Sequence, residues 1–168
     1  LYLNARERQG IHRTVLDTAR FATVIPCIWD PNPTTTVTLA EAARSEGAKA
    51  VIIPPPLYYD LDQKVVSDWY RGLAHRIKIP IYGMHSPRHS VTTMSDPLYR
   101  SVRADGVLCG MNDASEDSFR IKRLITADPG AILASGDRVL LQASRLPQVG
   151  GVVSTLVNAW PSLVMRTY

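Results

Sequence analysis

The chain has 168 residues, of which 45% are hydrophobic and 20% are charged, a composition typical of a globular protein with its own core. It contains no run of eighteen apolar residues, so no membrane span is expected. The net charge of +4 comes from scattered Lys and Arg residues rather than a basic block, so nucleic-acid binding is not expected either.

Helix start signals appear along the whole chain. Asn4 and Glu7 form a capping-box pattern ahead of a first helix that extends to about Arg20. Gly47 is a stop signal for the second helix. Because Val66, Trp69, Tyr70 and Leu73 have helical spacing, they predict one apolar stripe on the third helix. The remaining helices are predicted to begin near Thr38, Asp62, Ser95 and Ser115, and a further helix follows Asp137.

Short β-branched apolar runs alternate with these helices. None of the runs alternates polar with apolar residues, which is typical of parallel strands buried on both faces. The order predicts either a doubly wound open sheet or part of a (β/α)8 barrel, and function in both lies after the carboxyl ends of the strands. The predicted strands are Ala22–Ile28, Ala50–Ile53, Ile79–Tyr82, Gly106–Cys109, Ala131–Ala134 and Gly151–Ser154.

The two cysteines, Cys27 and Cys109, lie inside apolar strand-like runs. Neither has a second cysteine or a pair of histidines nearby at a spacing that binds zinc. We therefore expect buried free thiols in a cytoplasmic protein and no metal site.

Several polar side chains follow the predicted strands. Arg88 is interpreted either as a bidentate clamp for a carboxylate or as a salt bridge to a neighbouring loop. His85 and His89 fit either acid–base groups or packing histidines, and they lack the helical geometry of a zinc pair. Tyr58 and Tyr59 have two interpretations. Their side chains either reach into a pocket or a subunit interface, or they pack in the core.

Three acidic side chains, Asp113, Glu116 and Asp117, fit either an acidic site or the favourable charges of a helix start. No Gly-rich phosphate loop leads from a strand into a helix. The segment Ser135–Asp137 lacks the flanking glycines of a nucleophile elbow. The sequence therefore predicts no bound cofactor.

Several loop and strand segments also match the motifs of one known family in the same order. Ile79–Arg88 is similar to "IPxxLYNxPxR", and Gly106–Ser115 is similar to "IVGIKDSS". These segments resemble the family of dihydrodipicolinate synthase and N-acetylneuraminate lyase, the pyruvate-dependent class I aldolases. The resemblance implies a TIM barrel of which residues 1–168 supply roughly strands 3 to 8, as a single partial domain. Further matching segments are Leu3–Arg8, Leu39–Val51, Pro54–Tyr59, Ser135–Asp137 and Gly151–Asn158.

The resemblance also implies a chemistry that this chain lacks. In the family, a lysine on the sixth strand forms a Schiff base with pyruvate or another 2-oxo acid, and a tyrosine on the fifth strand shuttles protons. Matched residue by residue, the lysine position holds Asn112 and the tyrosine position holds Met84. An amide cannot form an imine with a ketone, and a thioether cannot relay a proton. No catalytic residue is therefore expected to be intact, although Tyr82 is a possible substitute for the missing tyrosine.

The ligand implied by the resemblance is a small 2-oxo acid such as pyruvate. The family arginine position falls on His89, or on Arg88 with a shift of one residue. The matching family tyrosines lie near a subunit contact, so Tyr58 and Tyr59 are expected at the interface of a homo-oligomer. The residues expected to bind the substrate are Arg88, His89, Asn112 and Val153.

The matched motifs begin after the family's second strand and end after its eighth. Part of a barrel would leave open sheet edges, so we expect either a piece of a longer protein or a barrel that another chain closes. The favoured function is a catalytically impaired or altered lyase-family protein that binds a 2-oxo acid. The alternatives are an active lyase or hydratase that uses Tyr82, His85 or His89, and a structural or regulatory subunit of an oligomer.

Overall fold

The computed structural model describes residues 3–19 and 21–167. Its centre is a five-stranded sheet in which all strands are parallel and lie side by side in chain order. A doubly wound sheet reverses its strand order at a switch point, whereas a barrel adds strands in sequence. The topology therefore favours part of a barrel. The strands are β1 (Val51–Ile53), β2 (Ile81–His85), β3 (Gly110–Asp113), β4 (Ile132–Ser135) and β5 (Gly151–Val153).

Helices alternate with the strands, as the sequence predicts. They are α1 (Ala5–Thr18), α2 (Pro33–Ser45), α3 (Gln63–Arg76), α4 (Asp96–Ala104), α5 (Ser118–Ala127), α6 (Leu140–Ala143) and α7 (Pro161–Thr167), with a 3₁₀ helix at Thr155–Asn158. None of the helices within the described residues is long and apolar enough to cross a membrane.

Two predicted helix starts are confirmed in detail. The Asn4 side chain accepts a hydrogen bond from the Glu7 amide at 3.0 Å, and the Glu7 carboxylate accepts one from the Asn4 amide at 2.8 Å, which completes the capping box. Ser95 caps α4 by accepting a bond from the Leu98 amide.

Two predicted helix starts are wrong. Helix α2 begins at Pro33, well before Thr38, because Asn32 caps it and proline is preorganised for the first helical position. Helix α5 is capped by Asp117, whose carboxylate accepts hydrogen bonds from the amides of Phe119 and Arg120. Ser115 does not cap α5, because its hydroxyl donates to Asp113 at 2.5 Å.

Two predicted strands also differ from the structure. The first is reduced to an isolated parallel bridge between Cys27 and Ile52, since Pro26 in that segment has no amide to donate. The run Gly106–Cys109 is not a strand, because the amides of Gly106 and Val107 bond back to the end of α4. Strand β3 begins only at Gly110, so Asn112 lies within the strand and not in the loop after it.

The predicted burial of both cysteines is wrong. Cys27 is exposed and Cys109 is only partly buried. The Cys27 segment bridges only to β1, and this single bridge is too short to cover its side chain. Cys27 therefore lies at the edge of the sheet, whereas Cys109 lies directly before the central strand β3.

The main core lies between one face of the sheet and the helices. The predicted stripe on α3 is confirmed, since Val66, Tyr70 and Leu73 are buried and Trp69 packs against them in part. The Tyr70 hydroxyl donates to the Ile53 carbonyl at 2.9 Å, which fastens α3 to β1. Phe119, the first apolar residue of α5, is exposed, because it lies on the solvent side of the helix.

A buried ion pair ties three elements together. Asp113, at the end of β3, is fully buried, and the Arg120 guanidinium of α5 donates to its carboxylate at 2.6 Å. The same guanidinium contacts the carboxylate of Asp96, the first residue of α4, and donates to the Met94 carbonyl at 3.0 Å. A buried carboxylate is stable only with such partners. Arg120 therefore fixes the end of β3 against α4 and α5.

We expect Arg120→Met to lower the free energy of unfolding by roughly 3–5 kcal/mol, because it leaves the Asp113 charge buried without a cation. Chemical denaturation followed by circular dichroism measures the change. The matched control is Lys64→Met, which breaks the exposed pair between Lys64 and Asp68 and should cost less than about 1 kcal/mol. Equal losses in the two variants would contradict a structural role for the buried pair.

Candidate ligand site at the carboxyl ends of the strands

The sheet register brings together the two positions that the sequence singles out for chemistry. Met84 of β2 pairs with Asn112 of β3, which pairs with Leu133 of β4. Paired residues in parallel strands point to the same face of the sheet. Because the flanking residues Ile81 and Met111 belong to the core under the helices, this row faces the opposite side, which is the interior of a barrel.

Asn112 is buried in that row, with only 5% of its surface exposed. Its side-chain carbonyl oxygen has no hydrogen-bond partner within residues 3–19 and 21–167. A buried acceptor without a donor costs roughly 1–3 kcal/mol. The amide can accept and donate hydrogen bonds, but its nitrogen is not a nucleophile.

A cleft of about 410 Å³ lies just beyond the carboxyl ends of the strands. Three of the four predicted substrate-binding residues line it, namely Arg88, His89 and Val153, whereas Asn112 does not. Ala114 reaches the cleft wall two residues beyond Asn112, so the asparagine lies deeper in the interior. Other lining residues are Glu116, Ser135, Gly136, Asp137, Ser154 and Thr155.

Asp137 fastens two loops of the cleft together. Its carboxylate accepts hydrogen bonds from the Ser154 hydroxyl at 2.6 Å, the Thr155 hydroxyl at 2.6 Å and the Thr155 amide at 3.0 Å. The bond from Ser154, followed by those from Thr155, holds the pKa of Asp137 below its usual range. The sequence placed this aspartate before a predicted helix and within a family motif, but it did not indicate that Asp137 joins the two loops.

Arg88 forms a salt bridge to a neighbouring loop, which was one of the two interpretations of this residue from the sequence. Its guanidinium lies 2.9 Å from the Glu116 carboxylate. The His89 ring nitrogen Nδ1 lies 2.9 Å from the Ser86 hydroxyl, which leaves Nε2 for another partner. Both side chains remain at the cleft.

Comparison with curated proteins gives a consistent set of relatives, although no family model matches the chain. The chain is 29% identical over 167 residues to an uncharacterized DapA-like lyase of Halobacterium salinarum, covering 99% of the chain and 55% of that protein. It is 26% identical over 168 residues to a 4-hydroxy-tetrahydrodipicolinate synthase of Chlorobium phaeovibrioides, covering 98% and 56%.

Solved structures match the same portion of the fold. The sialic acid aldolase of Ruminococcus gnavus superposes with a TM-score of 0.88 at 18% identity, covering 98% of this chain and 56% of that one. A putative dihydrodipicolinate synthetase of Pseudomonas aeruginosa superposes with a TM-score of 0.86 at 26% identity, covering 97% and 57%. These relatives and structural neighbours are those of the dihydrodipicolinate synthase/N-acetylneuraminate lyase family, which the chain resembles over nearly its whole length. It spans about half the length of the relatives that it matches.

Tyr82 is poorly placed to supply the proton-relay hydroxyl that the resemblance implies at the position of Met84. Burial raises the pKa of the Tyr82 hydroxyl, and Cys109 raises it further, whereas Arg103 lowers it. Cys109 and Arg103 lie before the start of β3, so the hydroxyl is near the amino ends of the strands. Gly110 makes room for the ring, since a Cβ atom there would lie 2.5 Å from ring atom Cε1.

His85 is also turned away from the cleft. It is buried on the helix side of β2, and its Nδ1 accepts a hydrogen bond from the Met94 amide at 3.2 Å. The structure therefore supports the packing interpretation of this histidine. Of the two histidines, His89 is the one that lines the cleft.

The three acidic side chains, which fitted either an acidic site or a helix start, have three separate structural roles. Asp113 pairs with Arg120, Glu116 pairs with Arg88, and Asp117 caps α5. No group of three or more His, Cys, Asp or Glu side chains within the described part of the chain is arranged to hold a metal ion.

Tyr58 and Tyr59 are exposed, so their core-packing interpretation is wrong. Their rings make an edge-to-face contact with centroids 5.5 Å apart. An exposed aromatic pair is typical of an interface, and the subunit contact at these residues stays a prediction.

Burial, followed by the nearby Arg120 charge, holds the pKa of His85 below its usual range. The unfolded chain therefore takes up this proton first as the pH falls, so the contribution of His85 to stability is full above about pH 6.5 and is lost at lower pH. We expect the free energy of unfolding to fall more steeply from about pH 7.5 to about pH 5.5 in the wild type than in His85→Gln. The exposed His75 supplies the control variant His75→Gln. Parallel pH profiles for the wild type and His85→Gln would contradict this role.

Proposed function

We propose that this protein is a lyase-family member that binds a small 2-oxo acid such as pyruvate but does not form a Schiff base with it. The observation that carries the proposal is the pairing of Asn112 with Met84 on the inner face of the sheet. Imine chemistry at this place needs a free amine, and proton relay needs an ionisable hydroxyl. An amide and a thioether supply neither, so the protein is catalytically impaired or altered.

Binding of the acid does not depend on an amine. Arg88 uses part of its guanidinium for Glu116 and is 53% exposed, so further N–H groups are available to a carboxylate. The His89 ring bonds to Ser86 through Nδ1, so Nε2 has no partner within residues 3–19 and 21–167. Val153 offers an apolar contact to the carbon chain of the ligand. The Asn112 amide, deeper on the same side of the sheet, would then meet the part of the ligand that enters the interior.

A second candidate is an active lyase or hydratase that uses acid–base chemistry without an imine. The position of His89 on the cleft favours it, and this histidine would be the proton carrier rather than Tyr82 or His85. Turnover of a 2-oxo acid panel that is lost in His89→Gln would support this alternative.

The same proposal extends to the whole protein. We take residues 1–168 as one partial barrel domain of a cytoplasmic protein, with Tyr58 and Tyr59 at the interface of a homo-oligomer. A structural or regulatory role of this chain in such an oligomer is compatible with the exposed aromatic pair.

Borohydride reduction in the presence of pyruvate tests the missing Schiff base directly. We expect the intact mass of the wild-type protein to stay unchanged, because Asn112 cannot condense with the ketone. The Asn112→Lys variant places an amine at the same point of β3, and we expect it to gain the mass of one reduced pyruvate adduct.

The Asn112→Lys variant is the positive control, because it shows that an amine at this position can be trapped. A stable adduct on the wild-type protein, mapped by peptide mass spectrometry to any lysine in the barrel, would refute the proposal. Calorimetric titration with pyruvate tests the binding half separately, and a wild-type protein that shows no binding heat would contradict it.

A further inference from the structure

Two arginines converge on one carboxylate at the rim of the cleft. The Glu116 oxygen Oε2 lies 2.9 Å from the Arg88 guanidinium and 3.6 Å from the Arg138 guanidinium. The Glu116 side chain is only 15% exposed, whereas those of Arg88 and Arg138 are 53% and 77% exposed. The carboxylate therefore sits in the inner position that a bound anion would take, with the two cations open to solvent beside it.

The backbone is distorted where this carboxylate is held. Glu116 has a φ of 57°, the one positive value for a non-glycine residue within the described ranges. Opposite it, Gly136 has a φ of 124°, and a Cβ atom there would lie 2.5 Å from the Glu116 Cγ and 2.7 Å from its Oε1. Backbone strain of this kind persists where the surrounding structure or a function requires it.

The start of α5 does not explain the position of Glu116. Asp117 already caps that helix, and Arg120 already neutralises Asp113. The ion pair is also imperfect, since the buried Oε2 makes no well-directed hydrogen bond despite its short distance to Arg88. Glu116 is thus a resident anion that is held close to two arginines but only loosely bonded to them.

We propose that Arg88 and Arg138 form an anion site whose internal occupant is the Glu116 carboxylate, and that a phosphate group on the ligand displaces it. This inference rests on the proposed function, because it assumes that the ligand binds in the cleft. A tethered carboxylate has a high effective concentration, so a singly charged ligand group does not displace it and binds only to the remaining N–H groups of Arg88. A dianionic phosphate brings a second charge and three acceptor oxygens that match the forked guanidinium groups. The ligand class is therefore a small 2-oxo acid that carries a phosphate group.

Isothermal titration with inorganic phosphate tests the anion site without any 2-oxo acid. Removal of the competing charge in the isosteric variant Glu116→Gln should tighten phosphate binding about tenfold or more relative to the wild type. Adding Arg138→Gln to that variant should abolish the gain. The control is Asp68→Asn, which changes the net charge equally on α3, at an exposed ion pair outside the cleft, and should leave phosphate affinity unchanged.

The inference is overturned if Glu116→Gln leaves phosphate affinity unchanged, if Asp68→Asn reproduces the gain, or if the gain survives without Arg138. Titration of the same proteins with pyruvate separates this failure from that of the proposed function. Pyruvate binding without any phosphate effect leaves the proposed function standing and removes the anion site. If Glu116→Gln tightens phosphate binding but pyruvate does not bind, the anion site is supported and the proposed binding of a 2-oxo acid is contradicted.

Discussion

The arrangement of the cleft depends on the buried pair between Arg120 and Asp113. Asp113 is the last residue of β3, and Asn112 precedes it on the opposite face of the sheet. By holding Asp113 against α4 and α5, Arg120 fixes the depth at which Asn112 enters the interior. The same contact sets where the chain leaves β3, and within three residues the chain reaches Glu116 at the cleft. Without this pair, a buried carboxylate would stand alone and the strand end would have to move.

The sequence was sufficient for features that local chemistry decides. Parallel strands were recognisable because buried runs such as Val51–Ile53 lack alternation, and the first helix because Asn4 and Glu7 complete a capping box. The apolar stripe of α3 followed from helical spacing alone. The barrel topology followed from the order of the motifs, and the structure agrees with each of these points.

Features that depend on tertiary contacts were not predictable in the same way. The apolar run Val107–Leu108 has the composition of a strand, but its amides serve to end α4, which displaces β3 toward Asn112. The pairings of Arg120 with Asp113 and of Arg138 with Glu116 join residues from different loops and helices. No spacing rule predicts which of several nearby acids an arginine will choose. Nothing in the sequence indicates the positive φ of Glu116.

Fold and chemistry can diverge within one family because they reside in different residues. In this chain the fold rests on apolar strands, capped helices and the buried pair between Arg120 and Asp113. The proposed loss of imine chemistry rests on two other residues, Asn112 and Met84, which pair on the inner face of the sheet. The cleft is lined by Arg88, His89 and the Glu116 carboxylate, with Arg138 beside that carboxylate, and we propose that it binds an acid without covalent capture.

The state of a bound ligand tests this account most directly. Carbon NMR of the protein with pyruvate labelled at its carbonyl carbon distinguishes a free ketone from an imine by chemical shift. Because Asn112 cannot form an imine, we expect the bound signal to broaden or shift but to stay in the ketone or hydrate region. A protein-bound imine or carbinolamine signal in the wild-type protein would contradict it.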